Sequence, residues 1–358
     1  MRDPFEIPIL RRVIFGCLFG GLLLLVGEVV ARFVVPPAQP ADVMALDADP
    51  DLIWTLATDK THVADFLPNS IGVRGPELLP RTDERRRILT LGDSSVYGSG
   101  VIYRDVFSSV VASRNCELGR PTEAIDGGVP GYSSVQALGL YRRMHKVLEP
   151  DFVIIATLWS DSRDAMTSDA EQIELIRRRT GAWGAMTMAL QRMEGNSSLI
   201  RGLRMLLDGS LGRGPRVQKV SWVHADEAGT GPTPPGATER TRVPLSEYRP
   251  NLRTLVREVR ADGALPMFLL LPHPYDDAGK TLPEVQLAYR AAMRAVATKD
   301  GVPLADAAEW FITHPAMEER FWDDIHPNAA GHLAIADVVE ATILRDRELA
   351  ARIGAPSR

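Results

Sequence analysis

The chain has 358 residues, of which 45% are hydrophobic and 24% are charged, an ordinary composition for a globular protein. With two cysteines, Cys17 and Cys116, it cannot form a disulfide scaffold, and its composition excludes disordered and collagen-like proteins. Lys and Arg number 41 against 46 Asp and Glu, and this formal charge of −5 argues against nucleic acid as a partner.

The first 35 residues contain the most hydrophobic stretch of the chain. Residues 13–27 include no charged side chain, and the apolar run continues to Val35 with Glu28 and Arg32 as its interruptions. At about 1.5 Å per residue, a helix of about 23 residues spans about 34 Å and can cross a hydrocarbon core of roughly 30 Å. Because Glu28 and Arg32 lie four residues apart, they share one helix face and can pair. Residues 1–35 are therefore predicted to form a transmembrane signal anchor, with a buried core helix as the alternative.

Charges on the two sides of this stretch predict its orientation. Arginines precede it and aspartates follow it, with no basic residue before Lys60: Arg2, Arg11, Arg12, then Asp42, Asp47, Asp49 and Asp51. The positive-inside rule places the N-terminus in the cytoplasm and the rest of the chain outside, on the periplasmic or cell-surface side. No small-x-small cleavage site follows, so we expect a retained single-pass anchor rather than a cleaved signal peptide.

Beyond the anchor, residues 36–86 are rich in Pro and Asp and are predicted to be a tether and irregular lead-in. From residue 87, short apolar runs alternate with helical patterns, and the strand candidates are residues 88–91, 123–125, 152–158, 265–271 and 302–305. Helices are predicted around residues 252–259, with Pro250 near the start, and from Pro283 to Gly301. This alternation predicts an α/β domain with a parallel sheet covered on both faces.

The alternation is broken once, between the third and fourth strands. Residues 162–249 contain a helical pattern around 183–207 and then a loop dense in Gly, Pro and Thr, which we interpret as an insertion. The predicted domain thus covers residues 87–345 with this insertion, and residues 346–358 are left as a C-terminal tail.

Parallel sheets bind ligands at the carboxyl ends of their strands, and polar or glycine-rich turns follow four of the predicted strands. A serine nucleophile needs a base within hydrogen-bond reach and a third group that fixes the tautomer of the base. Ser94, His326 and Asp323 supply this set, since Asp and His three residues apart can place the carboxylate on the imidazole Nδ1. The backbone N–H groups of Ser94 and Gly131 are candidate donors to the oxyanion.

A second Asp-x-x-His pair, Asp59 and His62, precedes the first strand and lacks the Pro-Asn-x-x-Gly continuation that follows His326. No phosphate loop, dinucleotide fingerprint or metal-ligand spacing occurs in the sequence, so we expect no cofactor and no metal.

At these residues the chain resembles the SGNH/GDSL hydrolases, from about Asn69 to Leu344 outside the insertion. The first block of that family carries the nucleophile within Gly-Asp-Ser, residues 92–94 here, the second supplies the glycine matched by Gly131, and the last is the Asp-x-x-His of Asp323 and His326. The resemblance implies a flavodoxin-like three-layer α/β/α sandwich with sheet order 2-1-3-4-5, and ester hydrolysis. Residues 69–75 also resemble a segment found in membrane-anchored bacterial members of the family. The sequence assigns no role to Arg74, which lies in this segment.

One block departs from the family pattern. Where the family has Gly-x-Asn-Asp, residues 158–161 are Leu, Trp, Ser and Asp, so that Ser160 replaces the asparagine whose amide is an oxyanion donor. A hydroxyl can still donate with a shorter reach, and Ser160 is the third candidate oxyanion donor. Asp161 is expected to cap a loop, and His273 is interpreted as a structural loop histidine.

These observations predict a membrane-anchored, extracytoplasmic serine esterase that hydrolyses acyl esters, acetyl esters among them, of small-molecule, lipid or glycan substrates. One alternative is an O-acyltransferase acting on a cell-surface glycan. It is disfavoured because the polysaccharide O-acetyltransferases of this fold resemble a different Asp-His arrangement placed before the serine. The other alternative, a non-catalytic glycan-binding domain, is disfavoured by the intact Ser94, Asp323 and His326.

Overall fold

The computed structural model describes residues 9–34, 46–56, 68–165, 167–178, 199, 240–315 and 319–355. The chain divides into two compact units, one of Met1–Val43 with Arg179–Lys219 and the other of Met44–Arg178 with Val220–Arg358. The helical pattern predicted around 183–207 lies outside the described residues, apart from Leu199.

In the first unit, helix α1 (Ile9–Val34) contains an apolar span, Ile14–Arg32, with mean hydropathy 2.3. This span is long and apolar enough to cross a membrane, and it exposes its large apolar side chains, such as Phe15 and Leu18 at 63% and 65%. A core helix of a soluble protein would bury them. The expected pair forms, with Arg32 Nε 3.1 Å from Glu28 Oε1. A membrane anchor and a signal sequence share these features.

The second unit begins with an antiparallel hairpin of β1 (Leu46–Asp49) and β2 (Ile53–Leu56), inside the segment interpreted from sequence as a tether. The Asp49 carboxylate closes its turn by accepting the N–H groups of Asp51 and Leu52, both at 2.9 Å. Leu52 and Leu56 are buried in the core. In strands of four residues the alternation of polar and apolar residues is too short to predict a strand from sequence. The turn and the buried leucines stabilise the hairpin.

A parallel five-stranded sheet forms the centre of this unit, and its strands are β3 (Arg86–Gly92), β4 (Thr122–Gly128), β5 (Phe152–Ala156), β6 (Leu265–Leu270) and β7 (Leu304–Asp306). Its order, β4-β3-β5-β6-β7, confirms the predicted order 2-1-3-4-5. The register places Gly92 opposite both Gly128 and Ala156. Three neighbouring strands therefore end in one row, and the loops that follow them start side by side.

The helices of this unit are α2 (Ser94–Tyr97), α3 (Phe107–Glu117), α4 (Ser134–Leu148), α5 (Asp169–Arg178), α6 (Leu245–Ala261), α7 (Pro274–Asp277), α8 (Glu284–Asp300), α9 (Ala307–Thr313), α10 (Ala329–Arg345) and α11 (Arg347–Ile353). Helix α3 packs on α10, whereas α6 packs on both α4 and α8. These two groups flank the sheet, which confirms the predicted layered α/β fold.

Two helices differ in extent from the sequence patterns. Helix α6 begins at Leu245, before the patterned run, because Leu245 and Tyr248 are buried and Tyr248 Oη donates to Thr157 O at 2.7 Å. Pro250 lies inside this helix, where it removes only one hydrogen-bond donor near the start. Helix α11 forms within residues 346–358, for which the sequence predicts a C-terminal tail, since its Leu349 and Ile353 are buried.

Candidate active site

The turn after β3 presents Ser94 at the sheet edge. Asp93 caps the short helix α2, accepting the Ser95 N–H at 3.0 Å, and Ser94 is the first residue of that helix. Gly92 is required before it, because a Cβ there would lie 2.5 Å from the Ala156 carbonyl oxygen. The neighbouring strand thus packs directly against the backbone that carries the Ser94 hydroxyl, and Ser94 is buried.

The structure brings Ser94, His326 and Asp323 together in one hydrogen-bonded chain. His326 Nε2 lies 2.8 Å from Ser94 Oγ, and His326 Nδ1 lies 2.6 Å from Asp323 Oδ2. The other carboxylate oxygen, Asp323 Oδ1, accepts the backbone N–H groups of Ile325 and His326 at 2.9 and 2.7 Å. This geometry can pass the Ser94 proton to Nε2 while the second proton stays on Nδ1 and is donated in a hydrogen bond to the Asp323 carboxylate.

The electrostatics of Asp323 suit this arrangement. Burial raises its pKa, but the hydrogen bonds from the His326 ring and from the backbone N–H groups of His326 and Ile325 outweigh burial, so the pKa lies below its ordinary value. Asp323 is therefore ionised at neutral pH and can stabilise an imidazolium at His326.

The residues around His326 fix its loop. Asn328 caps α10 by accepting the Gly331 N–H at 3.0 Å, and a Cβ at Gly331 would collide with the Arg320 carbonyl. These contacts explain the Pro-Asn-x-x-Gly continuation. Trp322 stacks on the His326 ring at 5.6 Å between centroids and donates its Nε1 proton to Ser99 O at 2.8 Å. Sequence reasoning missed Trp322, since a single exposed aromatic residue carries no pattern.

The second loop runs beside the Ser94 turn because Val129 N donates to Gly92 O at 3.1 Å. It reverses in a turn closed by Tyr132 N donating to Val129 O at 2.9 Å, with Gly131 at φ +78°. Among the hydrogen bonds of the described residues, none uses the N–H of Gly131 or of Ser94. Both N–H groups are thus available to an oxyanion.

Ser160 lies after β5, in the third loop of the row, and is buried. Its hydroxyl and its backbone N–H both point to Asp93 Oδ2, each at 3.3 Å. Burial raises the pKa of Asp93, and the Ser95 N–H, the charges of Arg163 and His326 and the Ser160 hydroxyl partly offset this rise. In this structure the hydroxyl proposed from sequence as an oxyanion donor therefore links the third loop to the Ser94 turn instead.

Arg74, to which the sequence assigns no role, is fully buried beneath the Ser94 turn. Its guanidinium donates to the carbonyl oxygens of Tyr97, Gly98 and Val101, and it lies 4.4 Å from the centroid of the Tyr97 ring. These carbonyls belong to the end of α2 and the residues that follow it. Arg74 thus holds the turn that begins at Ser94.

The remaining candidates have structural partners. Asp161 Oδ1 accepts the Ser134 N–H at the start of α4 at 2.8 Å, and burial raises its pKa to about 7. His273 caps α7 by accepting the Tyr275 N–H at 3.1 Å, and burial lowers its pKa to about 4. Asp59 and His62 lie outside the described residues. Within the described ranges, no group of three or more His, Cys, Asp or Glu is placed to hold a metal ion.

A five-stranded parallel sheet with a serine, a histidine and an aspartate joined at its carboxyl edge is an arrangement found in hydrolases that form acyl-enzymes. The profile of the GDSL-like Lipase/Acylhydrolase family matches residues 90–334, more than half of the chain. The chain belongs to this family, and it is a hydrolase that acts on ester bonds. No curated protein matches the sequence significantly.

Solved structures with a similar fold include hydrolases from several sources. An α/β hydrolase from the metagenome of Lake Arreo, Spain, is 16% identical, with a TM-score of 0.44 over 72% of this chain and 94% of the other. A lipase/acylhydrolase from Enterococcus faecalis is 14% identical, with a TM-score of 0.43 over 72% of this chain and 95% of the other. The acetylxylan esterase Axe2 from Geobacillus stearothermophilus is 15% identical, with a TM-score of 0.43 over 76% of this chain and 97% of the other.

Proposed function

We propose that the protein is a serine esterase in which Ser94 is the nucleophile, His326 the general base and Asp323 the residue that orients the base. The observation that carries this proposal is the chain of hydrogen bonds from Ser94 Oγ through His326 to Asp323, at 2.8 and 2.6 Å. The Ser94–His326 distance lies within the range that direct proton transfer requires, and the His326–Asp323 distance is that of a hydrogen bond that orients the imidazole. A non-catalytic domain would have no need of this chain at the end of its sheet.

In the first half of the reaction, Ser94 Oγ attacks the ester carbonyl as its proton moves to His326 Nε2. The tetrahedral intermediate collapses, the bond to the alcohol breaks, and the imidazolium returns the proton to the departing alkoxide. Water then attacks the acyl-serine, with His326 again taking a proton and returning it to Ser94 Oγ. The acyl group leaves as a carboxylic acid, and the enzyme is restored.

The negative oxygen of each intermediate needs convergent donors. We assign this task to the N–H groups of Ser94 and Gly131, with the Ser160 hydroxyl as a third candidate. Support comes from the loops themselves, because the bond between Val129 N and Gly92 O joins the Ser94 turn to the Gly131 loop.

Residues 1–35 are proposed to anchor the enzyme in a membrane, with the N-terminus in the cytoplasm and the catalytic domain outside. The exposed apolar span Ile14–Arg32 and the arginines that precede it, Arg11 and Arg12, support this orientation. The substrate would then be an acylated molecule, lipid or glycan on the outer side.

Kinetics of single variants test the catalytic assignment. Ser94→Ala and His326→Ala should each lower the hydrolysis of p-nitrophenyl esters by at least about 10³-fold, because the members of such a unit fail together. The full-length protein in detergent is assayed over a graded series of acyl chain lengths. Ser95→Ala is the matched control, since it removes a buried hydroxyl from the same turn and should leave the rate unchanged.

The competing Asp-x-x-His pair gives the decisive counter-test. Asp59→Ala and His62→Ala should retain wild-type rates. Loss of activity in those variants, together with full activity in Asp323→Ala, would move the base and its partner to the upstream pair and refute the assignment.

A further inference from the structure

The N–H of Gly131 belongs to the peptide unit between Pro130 and Gly131, and the carbonyl of that same unit is held by a tryptophan. Trp54 Nε1 donates to Pro130 O at 3.1 Å. In a trans peptide the carbonyl and the N–H point in opposite directions, so a donor that fixes the carbonyl also fixes the direction of the N–H.

The turn around this peptide has two possible forms. With Pro130 second, Gly131 third at φ +78° and the Tyr132 N–H bonded to Val129 O, it is a type II turn. A type I turn keeps the same closing bond but turns the central peptide over, with negative φ at the third residue. Proline in second place and glycine in third place already favour the type II form, but a type I turn stays accessible because glycine adopts either sign of φ. The indole of Trp54 binds the carbonyl in its type II position and so favours that form.

Trp54 is itself held in place. Tyr132 Oη donates to Trp54 O at 2.8 Å, and the guanidinium of Arg242 lies 5.4 Å from the centroid of the indole ring. Arg242 also donates to Gly131 O at 2.6 Å and pairs with the buried Asp169, with Nη2 2.7 Å from the carboxylate. The carbonyls on both sides of the Gly131 Cα are therefore bound, one by Trp54 and one by Arg242.

We propose that Trp54 is a positioning residue of the oxyanion hole, whose indole N–H keeps the Gly131 N–H directed at the negative oxygen. This inference rests on the proposed function, since it requires Gly131 to bind the oxyanion. A donor aimed at the oxyanion acts on the transition state more than on bound substrate. The hydrogen bond to the Pro130 carbonyl also polarises the peptide unit, which strengthens its N–H as a donor.

Trp54→Phe in the full-length protein tests the proposal, because it removes the indole N–H and keeps an aromatic ring. The kcat for p-nitrophenyl acetate should fall about threefold to tenfold, the range of one net hydrogen bond, with KM changed by less than about twofold. Affinity for a boronic acid, which forms a tetrahedral adduct with a serine nucleophile, should weaken by the same factor. Trp310→Phe is the matched control and should change neither quantity.

Benzothienylalanine at position 54 replaces the indole N–H by sulfur in a ring of nearly the same shape, and it decides the question if Trp54→Phe fails to fold. Wild-type kcat and boronic acid affinity in the variant that folds would overturn the proposal, as would a loss confined to KM. Ser94→Ala is measured in parallel. Activity in Ser94→Ala would refute the proposed function, whereas an inactive Ser94→Ala beside wild-type kcat in the position 54 variants would refute the role of Trp54 alone.

Discussion

The Ser160 hydroxyl has two competing uses in this site. It can donate to Asp93 Oδ2, as it does here at 3.3 Å, or it can turn toward the oxyanion that forms at Ser94. A 3.3 Å separation is at the long end for a hydroxyl donor, so the bond to Asp93 costs little to exchange. An oxyanion is a better acceptor than the buried Asp93 carboxyl, whose pKa is raised by burial. We therefore keep Ser160 as the third candidate donor.

Ser160→Ala separates these uses. If the hydroxyl reaches the oxyanion, kcat should fall by up to about 10²-fold, the lower end for loss of one such donor, with KM nearly unchanged. The measurement is steady-state hydrolysis with saturating substrate and rate-limiting chemistry. Ser160→Asn tests the reach, since an increase in rate on small esters would show that serine is a weakened donor. Wild-type rates in Ser160→Ala would instead leave Ser94 and Gly131 as the only donors and make Ser160 a loop residue.

Among individual residues, the sequence predicts those whose side chains carry the proposed chemistry. Ser94 follows strand β3, Asp323 and His326 lie shortly before helix α10, and the structure places them within hydrogen-bond distance. Arg74 and Trp54 act through backbone carbonyls of other segments, and such contacts have no spacing in the sequence. These contacts can be identified only from the folded structure.

Between elements, Asp161 joins the loop after β5 to the start of α4. Its carboxylate accepts the Ser134 N–H, yet it is fully buried, and burial raises its pKa from 3.8 to about 7. The unfolded chain loses this proton near pH 4, whereas the folded protein keeps it until about pH 7. Asp161 therefore destabilises the fold progressively as the pH rises from about 4 to about 7.

Asp161→Asn removes the titration and keeps an oxygen that can accept the Ser134 N–H. Relative to wild type, the melting temperature should rise by at least about 3 °C more at pH 8 than at pH 4, the shift that about 1 kcal/mol gives in a domain of this size. Differential scanning calorimetry at both pH values measures it. Asp83→Asn, at an exposed position, is the control. An equal effect of Asp161→Asn at pH 4 and pH 8 would contradict the raised pKa.

The elements that the sequence predicts well are those with long apolar runs. The five strands and the helix that ends at Gly301 are confirmed because buried strands and amphipathic helices repeat a signal over many residues. The β1–β2 hairpin and the first turn of α6 were not predicted. Both depend on a few buried side chains, Leu52 and Tyr248 among them, that contact residues distant in the sequence.

For the whole molecule, we propose that the enzyme lies on the outer face of a membrane. A reporter protein that works only outside the cytoplasm should be active when it is fused after Arg358. Protease added to intact cells should remove the catalytic domain. Deletion of residues 1–35 should release active protein from the membrane fraction, because the candidate catalytic residues all lie beyond Gly92. A reporter signal that places Arg358 in the cytoplasm would refute this topology.

Covalent trapping of the nucleophile tests whether an acyl-enzyme forms on Ser94, as we propose. A fluorophosphonate forms a stable phosphonyl ester with a base-activated serine and releases fluoride. Peptide mass spectrometry of the treated full-length protein should find one phosphonyl group, on the peptide that contains Ser94, in proportion to the esterase activity lost. His326→Ala should remain unmodified over the same time. Complete modification of Ser94 with undiminished hydrolysis, or loss of activity with the modification at another residue, would contradict the account.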